Sequence, residues 1–223
     1  MSTYLLINLM IIIVPLILSF ERKILFYKKL INYWYSILIV SSAFLIWDVI
    51  ATARGDWAFA KEHIIGISFF GLPIEEILFF ITVPYACIFI FETVNLYLND
   101  KKIKLNEYFV WNFSLIFILI ALLNQSRNYT YTVMLFSSSS VLLIYFLDKN
   151  LLLSRNFWIT IAITYVPFLI VNYILTSIPI VTYNQKAFST IRITTIPLED
   201  FFYSFSMISM WILFYNLSKK NNG

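Results

Sequence analysis

The chain has 223 residues, of which 61% are hydrophobic and 13% charged, with a net charge of +4. A soluble domain is nearer half apolar and a quarter charged, and one core cannot hide this much apolar surface, so a water-soluble enzyme and a disordered chain are both excluded. Four glycines without a phosphate-binding pattern, one cysteine (Cys87), one histidine (His63) and no basic stripe speak against nucleotide loops, disulfides, Cys- or His-built metal centres and nucleic-acid partners.

The remaining solvent is lipid, and a span needs roughly 20 mostly apolar residues. Seven candidates follow in chain order: Tyr4–Phe20, Ile31–Thr52, Pro73–Leu96, Tyr108–Asn124, Tyr129–Leu147, Phe157–Thr176 and Pro197–Leu217. The first lacks the basic leader and small-residue cleavage site of a signal peptide, so it is read as a helix. Eleven basic residues (Arg22, Lys23, Lys28, Lys29, Lys101, Lys102, Lys104, Lys149, Arg155, Lys219 and Lys220) fall on one side of these spans. Five (Arg54, Lys61, Arg127, Lys186 and Arg192) fall on the other. The positive-inside rule then puts the N-terminus outside and the C-terminus in the cytoplasm of an integral cell-membrane protein. The two longest loops, Ala53–Leu72 and Ser177–Ile196, become extracytoplasmic.

Leu72-Pro73-Ile74-Glu75-Glu76 is echoed by Ile196-Pro197-Leu198-Glu199-Asp200 at an offset of 124. The same offset aligns Phe44-Leu45-Ile46 with Phe168-Leu169-Ile170, Asp48 with Asn172, and Phe79 with Tyr203. The expected fold is an all-α polytopic membrane protein of about seven transmembrane helices. It is organised as a three-helix repeat (1–98), a linker with the fourth helix (99–127) and a second three-helix repeat (128–223). An odd number of helices per repeat needs the linker to give both halves the same orientation, which makes the repeat parallel. Both acidic motifs then share one membrane face.

A proline and glutamates at a helix start are ordinary capping chemistry, worth roughly 0.3–1 kcal/mol per carboxylate. Three features argue for more. The motif occurs twice, it opens a membrane helix where carboxylates are costly, and Asp48 sits at the same height with Asn172 as its counterpart. Carboxyls clustered in low dielectric must hold a proton, which makes them candidate acids. Adjacent helical residues point about 100° apart, so Glu75 and Glu76 cannot both face one cavity. Glu75 and Glu199, identical between repeats, are the first choice, with Glu76, Asp200 and Asp48 as the remaining candidates. Phe79, Phe80, Tyr203 and Trp57 are candidate walls of an apolar slot, where aromatic faces could stabilise a cation by about 2 kcal/mol. Arg54 or Arg192 could neutralise a motif carboxylate. Glu92, about 25 Å further along its helix, belongs to the opposite interface beside a basic loop residue.

The run Trp47-Asp48-x-x-Ala51-x-x-x-Gly55-x-Trp57-x-Phe59, followed by Leu72-Pro73-Ile74-Glu75-Glu76, resembles the first half of the membrane-integral lycopene cyclases. Asn172-x-x-Leu175-Thr176, Pro179, Tyr183, Arg192-Ile193 and Ile196-Pro197-Leu198-Glu199-Asp200-Phe201 resemble the second half, as in a fused form of the two-subunit type. One departure is Thr190-Ile191 before Arg192, where the family pattern has a glycine. The resemblance implies an intramolecular lyase, or isomerase, that cyclises lycopene or a related acyclic carotenoid to β-carotene through γ-carotene. It implies the lipid bilayer as environment, other carotenoid-pathway enzymes as partners, and no cofactor or metal, since the reaction is redox-neutral. Under it, Glu75 or Glu199 donates the proton and the other, or Asp48, tunes or accepts, while Asn172 and Arg192 join the aromatics at the substrate. The rivals are a sugar transporter of the SWEET kind, which shares the helix plan, and a non-cyclising carotenoid-binding relative.

Overall fold

The computed structural model describes residues 2–222, the side chain of Asn222 excepted. Seven helices account for most of the described residues: α1 (Thr3–Leu18), α2 (Phe26–Arg54), α3 (Ile74–Tyr97), α4 (Glu107–Leu123), α5 (Asn128–Leu153), α6 (Arg155–Ser177) and α7 (Leu198–Asn222). Each covers one expected span. Four of them, α2, α3, α5 and α6, are long and apolar enough to cross a membrane. Helices α1 and α4 are apolar but shorter, at 16 and 17 residues. In α7, Glu199, Asp200 and a run of serines dilute the apolar sequence. The protein is an all-α membrane protein.

Two helices depart from regular geometry for visible reasons. Helix α2 opens with a 3-10 turn at Phe26–Lys29 and widens to π geometry over Ile37–Ser41. There Ser36 donates to the carbonyl of Trp211, and the Trp211 indole donates to Ser41 Oγ. Helix α5 breaks at Asp148 (φ −152°, ψ 69°), one residue beyond the expected end of the fifth span. The buried Asp148 carboxylate pairs with Lys220 at 2.8 Å.

Elements recur along the chain at an offset of 124 residues. Helix α1 packs on α3 and, equivalently, α5 on α7. The halves interlock through α2 on α7 and its counterpart α6 on α3, while α4 packs on α5. Strand β1 (Trp57–Phe59) follows α2, and the hairpin β2 (Ser68–Phe69) and β3 (Leu72–Pro73) leads into α3. Strand β4 (Val181–Tyr183) and the hairpin β5 (Arg192–Ile193) and β6 (Ile196–Pro197) recur 124 residues later. Strands β1 and β4 pair antiparallel with Ala58 opposite Thr182, its own counterpart, so the pseudo-two-fold axis passes through that pair. The turn that lacks the expected glycine still forms. Gly66 (φ 93°) in the first repeat is matched by Thr190 (φ 67°), which adopts the left-handed conformation itself.

The far end of the bundle gathers the basic residues. Glu92 lies between Lys29 and Lys219, with Lys219 Nζ at 2.6 Å, as expected for an interfacial acid beside basic residues. Glu92 is 5% exposed, and its partner lysines come from both halves, so the pairing clamps the base of the bundle across the two repeats.

Candidate active site

The two acidic motifs sit at the end of the bundle opposite Glu92, where the hairpins meet the starts of α3 and α7. Within each motif the neighbouring carboxyls point in different directions, as the helical angle requires. Glu75 and Glu199 turn toward their own loops. Glu75 Oε1 accepts from Ser2 Oγ and from the Ile65 N–H, both at 2.6 Å. Glu199 Oε1 accepts from Thr130 Oγ1 at 2.6 Å and from the Ser189 N–H at 2.7 Å. Ile65 and Ser189 are repeat equivalents, so both glutamates do the same thing: each ties the loop before its hairpin to a helix start. Both are essentially fully buried, and neither lines a cavity.

Glu76 and Asp200 turn inward, into a cavity that runs between the halves. Tyr4 donates its hydroxyl to Glu76 Oε2. Asp200 receives two phenols, Tyr129 at 2.5 Å on Oδ1 and Tyr183 at 2.9 Å on Oδ2. Burial and the Asp200 carboxylate push the Tyr183 hydroxyl well above the ordinary phenol range, so it remains a donor. Asp48 joins from α2. Its Oδ1 accepts from the Trp57 indole N–H at 2.9 Å and from Thr52 Oγ1 at 3.3 Å, while its buried Oδ2 has no donor. The Asp48 and Glu76 carboxyls both line the head of this cavity. Ionised carboxylates only accept, so a bond between these two requires a proton on one of them.

Below this cluster the cavity is apolar. One wall is a stripe on α3 at Glu76, Phe79, Val83, Cys87 and Ile90, with helical spacing. The facing walls are stripes on α6, from Leu175 back to Thr164, and on α7, from Asp200 to Ile208. From Glu76 to Ile90 the slot is about 21 Å deep at about 1.5 Å per residue. At the carboxyl end Asp48, Trp57 and Tyr129 are buried, while Pro167, elsewhere in the lining, is exposed.

The slot therefore gathers Glu76, Asp200, Asp48, Phe79, Tyr203, Trp57 and Asn172, and leaves out Glu75, Glu199, Phe80 and Arg192. Phe80 faces the protein core instead, 1% exposed, one helical step away from the Phe79 stripe. Arg192 stays in the loop, with its guanidinium 4.8 Å over the Phe188 ring and Nη1 donating to the Thr195 carbonyl. Arg54 pairs with Asp56 at 2.5 Å rather than with a motif acid. Tyr4 and Tyr129, which bind the inward carboxyls, were not singled out from the sequence. They occupy the start of the first helix in each repeat, but at an offset of 125, so an ungapped comparison at 124 passes over them. Cys87 also lines the slot.

Comparison with known families matches this architecture. A family model described as lycopene cyclase covers residues 1–94 and 128–218. The chain belongs to the lycopene cyclase family. Searches among curated proteins and among solved structures returned no match. The stretch that the lycopene cyclase match skips contains α4, the helix that stands outside the repeated units. Family membership assigns the chain a role in carotenoid cyclisation and a carotenoid substrate, and the apolar helices assign it a lipid environment. An apolar slot within the bundle suits a substrate that is itself dissolved in the bilayer.

Proposed function

We propose that this chain cyclises lycopene to β-carotene through γ-carotene, by a redox-neutral proton-in, proton-out reaction. The observation that supports it best is the convergence of Asp48, Glu76 and Asp200 at one end of a largely apolar slot. An acyclic end of the polyene enters from the bilayer and reaches this cluster. The Asp48–Glu76 pair, holding one proton between two carboxyls, delivers it to the terminal C1=C2 alkene, with Glu76 as the donor. The resulting tertiary cation at C1 is attacked by the C5=C6 alkene, which closes a six-membered ring and moves the cation to C5. Asp200, held in place by the Tyr129 and Tyr183 hydroxyls, takes the proton from C6 and leaves the C5=C6 double bond of a β ring. One proton enters and one leaves, and no electrons are transferred, so the step calls for no cofactor.

The roles move one residue along each motif relative to the first choice from the sequence, from Glu75 to Glu76 and from Glu199 to Asp200. The faces of Tyr203, Trp57 and Phe79 surround the path of the cation, where such contacts contribute about 2 kcal/mol when desolvated. Asn172, in place of a second aspartate, keeps that side of the slot neutral. By the positive-inside rule the site belongs to the outer half of the membrane and the Glu92 clamp to the cytoplasmic side.

The test is expression in a lycopene-accumulating bacterium followed by pigment chromatography. Appearance of ring-bearing carotenoids is the expected result, with Glu76→Gln, Asp48→Asn and Asp200→Asn each reducing them. Wholly acyclic pigment with the protein present in the membrane refutes the cyclase function and returns the choice to a transporter or a non-cyclising binder.

A further inference from the structure

The two inward acids meet the same pair of rings, with one hydroxyl of difference. In the first repeat Tyr4 stacks on Phe59, with centroids 6.4 Å apart and planes at 18°. In the second, Tyr129 stacks on Tyr183 at 5.7 Å and 23°. Phe59 on β1 and Tyr183 on β4 stand at the 124-residue offset. Tyr4 gives Glu76 one phenol donor, and Phe59 has no hydroxyl to add a second. Asp200 instead receives a phenol on each oxygen, Tyr129 on Oδ1 and Tyr183 on Oδ2. Both donors are themselves held. Tyr129 is 3% exposed, with the Trp57 ring 5.1 Å from its own. Tyr183 is fixed by strand pairing opposite Trp57, by the Phe188 ring at 6.0 Å and by the Arg192 guanidinium at 5.8 Å. A carboxyl tethered through one oxygen can still turn about that tether. Tethered through both, from α5 and from β4, its plane is set.

A ring cation at C5 can lose a proton from C6, from C4 or from its methyl group. Each loss turns the C–H electron pair into a double bond to C5. The products are, in turn, a β ring, an ε ring and a ring with an exocyclic alkene, all of equal mass. All three losses are chemically open, so the place of the base decides between them. Resting on the cyclisation proposed above, we propose that Tyr183 and Tyr129 are positioning residues that determine the ring type, by holding Asp200 against one of these protons. Tyr183 is the deciding member, because its hydroxyl is what the first repeat lacks at Phe59. Glu76, which gives a proton and does not choose among three, does without the second tether.

The test expresses the full chain, Tyr183→Phe and Tyr129→Phe in a lycopene-accumulating bacterium and assigns the ring type of the separated pigments by NMR and absorption. Absorption separates them because the C5=C6 bond extends the conjugated chain and the other two bonds do not. The parent is expected to give β rings alone. Loss of one hydrogen bond to the base is expected to lower the preference for C6 by about 10–100-fold, so that ε or exocyclic rings appear beside β rings in both variants. Lost stability alone reduces the amount of product and leaves its ring type unchanged. Where Tyr183→Phe is absent from the membrane, Tyr129→Phe decides on the same readout through the other oxygen. Folded variants that make β rings only overturn the proposal, as does a parent that makes mixed rings. Failure of the cyclase function is distinct: neither the parent nor any variant forms a ring of any type.

Discussion

Neighbouring acids in one motif should behave in opposite ways when replaced. Glu199→Ala removes the acceptor for Thr130 Oγ1 and for the Ser189 N–H, both in a region where Glu199 is 1% exposed. A buried donor left without a partner costs about 1–3 kcal/mol, so two cost about 2–6 kcal/mol. For a chain of this length about 1 kcal/mol corresponds to about 2–4 °C in Tm, which gives a fall of several degrees at the least. Product formed per folded molecule should survive. Glu76→Gln keeps the shape of the side chain and an acceptor for Tyr4, so its unfolding temperature should stay near that of the parent. Loss of the proton donor should lower turnover by about 10²–10⁴-fold. The assay pairs thermal unfolding of the detergent-solubilised variants with carotenoid analysis normalised to folded protein. If folded Glu199→Ala makes no ring while Glu76→Gln still does, the inward-facing assignment is wrong and the outer glutamate is the acid.

Three further outcomes follow from the same geometry. Tyr129→Phe and Tyr183→Phe each delete one donor to Asp200, a charged hydrogen bond worth about 1.5–3 kcal/mol. Each should slow cyclisation in labelled-lycopene assays, and the double variant should be slower than either. Thr190→Gly relieves a left-handed residue that costs roughly 1–2 kcal/mol for a side chain, and should raise the unfolding temperature without altering product. Gly66→Ala at the equivalent turn should lower it, although a Cβ there meets nothing within 4 Å, because the cost lies in the backbone alone. Cys87→Trp fills the slot about 16 Å below Glu76 and should abolish ring formation in assays of folded protein, whereas Phe80→Leu, facing the core, should leave product unchanged and lower only the unfolding temperature.

Much of the fold is legible in the chain because its causes are local. Apolar segments of span length, the prolines before Ile74 and Leu198, and the distribution of lysines and arginines each act within a few residues. They give the seven helices and their limits to within a few positions. The repeat is legible too, because Pro73-Ile74-Glu75-Glu76 and Pro197-Leu198-Glu199-Asp200 begin helices in the same way, and the shared offset reappears in the strands and in the turns at Gly66 and Thr190. That adjacent acids must point apart also follows from helix geometry alone. Which of the two points inward does not. It depends on where α1 and α5 lie against α3 and α7. That packing brings Ser2 and Thr130 to the outer glutamates and Tyr4 and Tyr129 to the inner acids. Identity between repeats favoured Glu75 and Glu199, and both accept from the backbone N–H at the equivalent loop position, Ile65 and Ser189. The inner pair differ because they share one slot, and one shared slot does not require the same residue twice. Composition and periodicity determined a membrane bundle of two related halves. Only the interlocking of those halves decided that two motifs form a single asymmetric site, because a cavity on a pseudo-symmetry axis is made by contacts across more than a hundred residues of chain.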